Sequence, residues 1–177
     1  KFDDEDLMKN NEATDGALHR RPCYYSYFDK STNLYWLIPI SSRVEKYKKI
    51  YEDKIKRNGS CDTIFFADVL GYKKAFLIQN MFPVLQRYVE SEYCKNSIPV
   101  SIPNNIQGEI DNRVTKVLVL TRKGIKLIFP DVLKIEKVLI DILKIEQQIE
   151  AKKEILQAEK EIAAQKEDAS VNNSRRL

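Results

Sequence analysis

The stretch from Tyr35 to Lys49 constrains the fold most, because an apolar strand pattern there changes directly into a basic helical one. The strand-like run stops at Pro39, and two hydroxyl residues, Ser41 and Ser42, follow at once. A helix that begins at this point presents backbone N–H donors beside the hydroxyls, and such a corner is a good cradle for an anion. The lysines that follow suit a chain of phosphodiesters better than a lone phosphate, because a polymer needs several positive contacts in a row.

Charge is distributed unevenly along the chain, although its net value is small. The 177 residues include 30 Lys and Arg against 26 Asp and Glu. Acidic residues concentrate within 3–6, and basic residues concentrate within 43–57 and again within 113–126. A one-sided basic surface is typical of a nucleic-acid partner, although many proteins carry basic patches without one.

The residue types that serve common catalytic chemistries are sparse. The three cysteines have neither metal-ligand spacing nor a disulfide pattern, which favours buried thiols in a reducing compartment. His19 is the only histidine, and no serine lies in a nucleophile-elbow motif. There is no Walker-type loop or glycine-rich dinucleotide turn. We therefore expect no metal and no cofactor. Without a signal peptide or a membrane-length apolar run, we expect a cytoplasmic protein with no membrane partner.

Turn residues and hydrophobic periodicity predict hairpins with helices between them. An acidic lead-in over 1–16 is followed by a main domain over 17–145 and by a helical extension over 146–177 that ends in a disordered tail. Within these, the patterns predict strands over 22–28, 34–40, 63–70, 75–78 and 98–102, and helices over 41–58, 85–92, 104–120 and 131–166. Ser42 is expected to cap the first of these helices, with Glu45 completing a capping box. The whole predicts an α+β fold, with a small antiparallel sheet closed into a barrel-like core and a long C-terminal helix.

One reaction suits a chain that lacks a metal site and a histidine base. RNA carries its own nucleophile, the 2′-hydroxyl, beside the scissile phosphate. A protein then has to hold the strand in line and stabilise the charge that develops on the phosphorus oxygens, which cations and hydroxyls can do. The products would be a 2′,3′-cyclic phosphate and a 5′-hydroxyl.

Three stretches share the motifs of one family. They are Arg-Pro-Cys-Tyr-Tyr at 21–25, Tyr-Trp-Leu-Ile-Pro-Ile-Ser-Ser-Arg at 35–43 and Lys-Ala-Phe-Leu-Ile-Gln-Asn-Met-Phe-Pro at 74–83. Through these motifs, and by their order over residues 21–143, the chain resembles the endoribonuclease toxins of type III toxin–antitoxin systems, the ToxN/AbiQ family. It is most similar to the CptN branch. Family members open with a strand and short helix that place a tyrosine and a lysine at the site, and this sequence departs from that pattern at its start.

The resemblance implies a compact MazF-like (SH3-like) barrel with added helices and metal-independent, sequence-preferring cleavage of RNA. It also implies inhibition by a repeated RNA pseudoknot, bound in a protein–RNA hetero-oligomer. The family's paired hydroxyls map onto Ser41 and Ser42, and its basic residue before the first hairpin maps onto Arg21. The next basic residue falls near Arg43 or Lys46. These five residues are the predicted catalytic set, and no general base is named.

Further basic, aromatic and amide residues are candidates for RNA contact. They are Tyr24, Lys48, Lys49, Lys54, Lys56, Arg57, Lys73, Lys74, Asn80, Arg122, Lys123 and Lys126. The plainer interpretation of the lysines is a solvated helix face, and that of Asn80 is a turn residue. Most tyrosines of the first hairpin are expected in the core, while one or two on an outer face could stack on unpaired bases.

Simpler roles remain open for the catalytic set, and two other functions remain open for the chain. The serine pair could simply cap a helix, and Arg21 could be an ordinary exposed charge. The same surface could belong to a non-catalytic RNA-binding module. The C-terminal helix, whose apolar pattern thins beyond residue 151, could instead make the chain a protein-interaction module.

Overall fold

The computed structural model describes residues 24–89, 92, 94, 95 and 98–174, with the backbone alone over 161–174. The strands of the main sheet are β1 (Tyr24–Asp29), β2 (Leu34–Ser41), β3 (Phe65–Val69), β4 (Tyr72–Phe76) and β5 (Phe82–Val84), and β6 (Cys94–Lys95) pairs with β7 (Ile98–Pro99) in a two-residue ladder. The helices are α1 (Val44–Asn58), α2 (Asn104–Arg122) and α3 (Val132–Ser174), with short 3₁₀ turns at Ile78–Asn80 and Gln86–Tyr88.

Strand β2 is the centre of the sheet because it changes partner along its length. One edge of it pairs with β1 from Leu34 to Pro39. Its other edge pairs with β5 through Tyr35–Leu37 and then with β4 through Ile40 and Ser41. β3 completes the sheet beside β4, and every pairing is antiparallel. This exchange of partners curls the sheet. The predicted α+β class with a long last helix is confirmed.

The core lies between the concave side of the sheet and α2. Strand residues Trp36, Ile38 and Phe76 are fully buried there, and α2 contributes the buried stripe Val114, Val117 and Leu118. The strand residues recur at every second position and the helix residues at three- and four-residue steps, as the two periodicities require. Burial of each large side chain of this kind contributes about 1.5–3 kcal/mol.

On the concave side of the sheet, β1 also carries polar groups, and their hydrogen bonds fix the position of α2 relative to the strand. The Tyr25 hydroxyl donates to Asp111 Oδ1 at 2.7 Å, and Tyr27 shares a 3.1 Å hydrogen bond with Thr115, one helical turn later. Burial, and then the hydrogen bond to Asp111, raise the pKa of Tyr25 well above its ordinary value. Alternate residues of the strand therefore meet successive turns of the helix.

Several elements differ from those that the sequence pattern predicts. β4 ends at Phe76, and the predicted strand over 75–78 continues instead as a 3₁₀ turn. β5 lies where a turn was expected, because its three residues gain strand character only by pairing with β2. Of the helix predicted over 85–92, only the 3₁₀ turn Gln86–Tyr88 forms within the described residues. The last helix continues to Ser174, through the start of the tail predicted to be disordered.

The chain divides into two compact units, residues 1–135 and residues 136–177. The predicted boundary lies ten residues later, after residue 145. Within the second unit, the part of α3 over 144–160 exposes every side chain, including Ile145, Ile149 and Leu156. None of the helices in the described part of the chain combines the length and the apolar character that a membrane crossing requires.

Candidate functional site

The two candidate serines lie at the corner where β2 passes into α1. Ser41 is the last residue of β2 and pairs with Ala75 of β4. Its Oγ accepts a hydrogen bond from the Arg43 backbone N–H at 3.2 Å, and the Ser42 carbonyl accepts one from Val44 at 2.9 Å. These bonds set the tight turn that brings the hydroxyl pair to the start of the helix.

The predicted capping box is wrong, because α1 begins three residues later than the sequence pattern indicates. Arg43 is the N-cap residue, and its side chain makes no capping bond. Ser41 is held in β2 by its pairing with β4, and Ser42 lies one residue before the N-cap position. The side chain of Ser42 is exposed, as is that of Arg43.

This corner has the electrostatic character of an anion site. The first amides of a 15-residue helix point towards it without a side-chain cap, and a helix N-terminus favours negative charge. Arg43 and Lys46 add exposed positive charge within the same turn. Glu45 opposes them with one carboxylate in the first turn of the helix. The arrangement suits a phosphate bound by hydroxyl, amide and cation together.

Helix α1 presents most of its basic residues to solvent. It contains no fully buried residue, and it contacts the sheet through the Tyr51 ring, which meets Phe66 edge-on at 5.6 Å between centroids. The exposed candidates on this helix are Lys46, Lys48, Lys49, Lys56 and Arg57. Gly59, in the left-handed region at φ 74°, ends the helix where the Asn58-Gly59 pair predicts.

Lys54 differs from the other lysines of α1, because its ammonium group is engaged inside the molecule. Its Nζ donates to Thr63 Oγ1 and to Gln79 Oε1, both at 2.7 Å. Gln79 is buried, and burial lowers the pKa of Lys54. The sequence gives no sign of this contact, because Gln79 lies 25 residues further along the chain.

The remaining candidates fall on separate elements. Tyr24 opens β1, opposite Pro39 of β2, and its ring meets Phe82 edge-on at 5.7 Å. Arg122 forms an ion pair with Asp29 at 2.6 Å. Lys73, Lys123 and Lys126 are exposed, Lys74 and Asn80 are half-buried, and the Lys74 ammonium lies 5.8 Å from the centre of the Tyr72 ring. Arg21, the remaining member of the catalytic set, lies outside the described residues, as does His19.

A cleft of about 200 Å³ that sequence reasoning did not predict lies between α1, β3 and α2. It is lined by Tyr51, Ile64, Phe65, Phe66 and Arg113. The Arg113 guanidinium lies 5.1 Å from the centre of the Phe65 ring and donates to the Cys61 carbonyl at 3.3 Å. Arg113 also pairs with Asp62 at 3.5 Å. Its charge is therefore engaged by the protein.

Among the described residues, no three His, Cys, Asp or Glu side chains are grouped as ligands for a metal ion. No protein-family model matches the sequence, and no curated protein matches it.

Proposed function

We propose that this chain is an endoribonuclease toxin of the type III toxin–antitoxin kind, which cleaves RNA without a metal ion. The observation that carries the proposal is the corner between β2 and α1. An exposed serine hydroxyl, an exposed arginine and the uncapped amides of a basic helix converge there on one short turn. The curled antiparallel sheet behind it supports the finer proposal of a MazF-like barrel.

In this mechanism the substrate supplies the nucleophile. The 2′-hydroxyl of one nucleotide gives its proton to water as its oxygen attacks the adjacent phosphorus. The bond to the 5′-oxygen of the next nucleotide breaks, that oxygen takes up a proton from water, and a 2′,3′-cyclic phosphate and a 5′-hydroxyl result. Ser42 and the α1 amides that follow Val44 donate hydrogen bonds to the non-bridging oxygens, because the Val44 amide is already bonded to the Ser42 carbonyl. Arg43 and Lys46 stabilise the negative charge that grows on those oxygens. Ser41 sets the turn through its bond to the Arg43 amide.

The exposed lysines of α1 hold the strand on either side of the scissile bond, because neighbouring phosphates favour clustered cations. In the same proposal a repeated RNA pseudoknot occupies this surface and inhibits the enzyme in a protein–RNA assembly. The proposal places the protein in the cytoplasm, where its substrate RNA is found.

The test is cleavage of a long RNA in excess EDTA by protein stripped of bound nucleic acid. We expect discrete fragments that end in cyclic phosphate, and we expect Ser42→Ala to lose at least about 100-fold in rate, the low end of the effect of removing one oxyanion donor. The matched control is Ser101→Ala, since Ser101 is also exposed and lies before α2. A folded Ser42→Ala protein with full activity contradicts the proposal. Bound but intact RNA would favour the non-catalytic binding module.

A further inference from the structure

The convex side of the sheet carries a second feature, which the proposed cleavage does not use. Cross-strand partners lie on the same face of a sheet, and the register pairs Phe28 with Tyr35 and Tyr24 with Pro39. On the other edge of β2 the register pairs Leu37 with Phe82. These residues, with Ser26 and Val84, form what we call the outer aromatic face: Tyr24, Ser26, Phe28, Tyr35, Leu37, Pro39, Phe82 and Val84.

Within the described residues the face is partly open to solvent, although Phe82 also packs against the core. Phe28 is 39% exposed, Ser26 is exposed, and the other members are partly exposed. Ring contacts hold the aromatic side chains in place, with Phe28 and Tyr35 at 4.9 Å between centroids and Tyr24 and Phe82 at 5.7 Å. The opposite side of the same strands is closed by α2, so the exposure belongs to one side alone.

The face is continuous with the candidate site. Side chains alternate along β2, so Tyr35, Leu37 and Ser41 point to the same side. The six steps along the chain from Tyr35 to Ser41 span about 20 Å at 3.3 Å per residue. A ligand lying along the face can therefore reach the Ser41–Ser42 corner, between β2 and α1, on the same side of the sheet.

The charges around the face favour a polyanion. Lys30 is exposed beyond the Phe28 end, and Arg43 is exposed beyond the Ser41 end. No member of the face is acidic, and Asp29, the one carboxylate of β1, turns to the other side to meet Arg122. Flat, half-exposed rings between two cations match a strand with phosphates outside and bases available to stack.

We propose that the outer aromatic face is a stacking platform for two or three unpaired bases of a single-stranded RNA. The bound strand continues from the face to the Ser41–Ser42 corner. This inference rests on the proposed function, because it assigns the part of the substrate next to the scissile bond. The platform reads base planes, so it favours an unpaired strand over a duplex whatever the cleavage sequence.

The test is a binding measurement with a short single-stranded oligonucleotide whose 2′-O-methyl groups prevent cleavage. A second strand with the same backbone lacks its bases. We expect Phe28→Ala and Phe28→Leu to weaken binding of the first strand by roughly 5- to 150-fold, the effect of losing one base–aromatic stack. We expect no change with the second strand. Phe129→Ala is the matched control, since Phe129 is 63% exposed, lies after α2 and is not a member of the face.

The leucine variant keeps an apolar side chain, and circular dichroism verifies its fold. A folded Phe28→Leu protein that binds the first strand as the parent does overturns the platform, as does an equal loss with both strands. A concentration-dependent dimer that Phe28→Leu abolishes, with RNA binding unchanged, assigns the face to a second copy and also overturns it. Cleavage of natural RNA is measured in parallel. Cleavage with an unaffected Phe28→Leu variant refutes only the platform, whereas base-dependent binding without cleavage refutes only the nuclease.

Discussion

Arg122 Nη2 donates to Asp29 Oδ2 at 2.6 Å, across 93 residues of sequence. The other carboxylate oxygen of Asp29 accepts hydrogen bonds from the backbone N–H and the hydroxyl of Ser31, at 2.9 and 2.6 Å. Asp29 ends β1 and Arg122 ends α2, so the pair ties the turn of the first hairpin to the end of the helix beneath it. Arg122, predicted from sequence as an RNA contact, therefore has a structural role.

Replacing Arg122 with alanine should lower the free energy of unfolding by about 1–3 kcal/mol. The Asp29 side chain is only 8% exposed and would lose its cationic donor. The figure is below that of a fully buried ion pair, because the arginine is one third exposed and screened by water. Urea denaturation measures the change. Lys123→Ala, at the exposed neighbouring position, should stay within about 0.5 kcal/mol of the parent.

The Arg122–Asp29 pair should also make the stability difference between the parent and Arg122→Ala depend on pH. Burial alone would raise the pKa of Asp29, but hydrogen bonds from Arg122 and Ser31 outweigh it and hold that pKa below its ordinary value. The stabilisation is therefore present above the unfolded-state pKa of about 3.9 and is lost as the pH falls through the lower folded-state value. Arg122→Ala should lose part of this acid-sensitive stability. Identical stability profiles from pH 6 to about pH 2 in parent and variant would refute the assignment.

Lys54→Ala should also destabilise the fold, by about 1–3 kcal/mol, because the buried Gln79 side chain would lose its donor.

The pKa of Lys54 is lowered by burial, so the folded protein releases this proton at a lower pH than the unfolded chain does. The stability of the parent should consequently rise from the folded-state pKa up to about pH 10.4. Lys54→Met should remove that rise. Chemical denaturation at a series of alkaline pH values tests both effects, and a parent without the rise contradicts the sign.

Local signals in the sequence were sufficient to predict the elements whose form is set by neighbouring residues along the chain. The Asn58-Gly59 pair marks the end of α1, because only a left-handed residue closes the helix there. The apolar steps of α2 likewise give its buried stripe, which contains Val114 and Val117. β5 was missed because its three residues become a strand only through their pairing with β2, which lies more than forty residues earlier.

The candidate site likewise divides into features that local sequence signals predict and features that depend on contacts with distant residues. The exposed serine and arginine at the end of β2 follow from a strand pattern that meets a basic helix. The capping box failed because β2 continues to Ser41, which pairs with Ala75, and α1 begins only at Val44 with Arg43 as its N-cap residue. The hydrogen bonds of Lys54 to Gln79 and of Arg122 to Asp29 could not be predicted from the sequence, because these partners are 25 and 93 residues away. Charge counts along the chain do not distinguish a cation that faces solvent from one that is already hydrogen-bonded.

The salt dependence of RNA binding tests whether an exposed lysine of α1 contacts a phosphate. Lys49 is exposed on α1, and if it contacts a phosphate its removal eliminates one released counterion. In Lys49→Ala the slope of log affinity against log salt should become shallower by about 0.7 for a single-stranded RNA. Binding to an uncleavable strand across a salt series gives the slope. Lys134→Ala, at an exposed lysine near the start of α3, should leave it unchanged. Equal slopes in the parent and Lys49→Ala would make Lys49 part of a solvated helix face, because a cation that meets no phosphate releases no counterion.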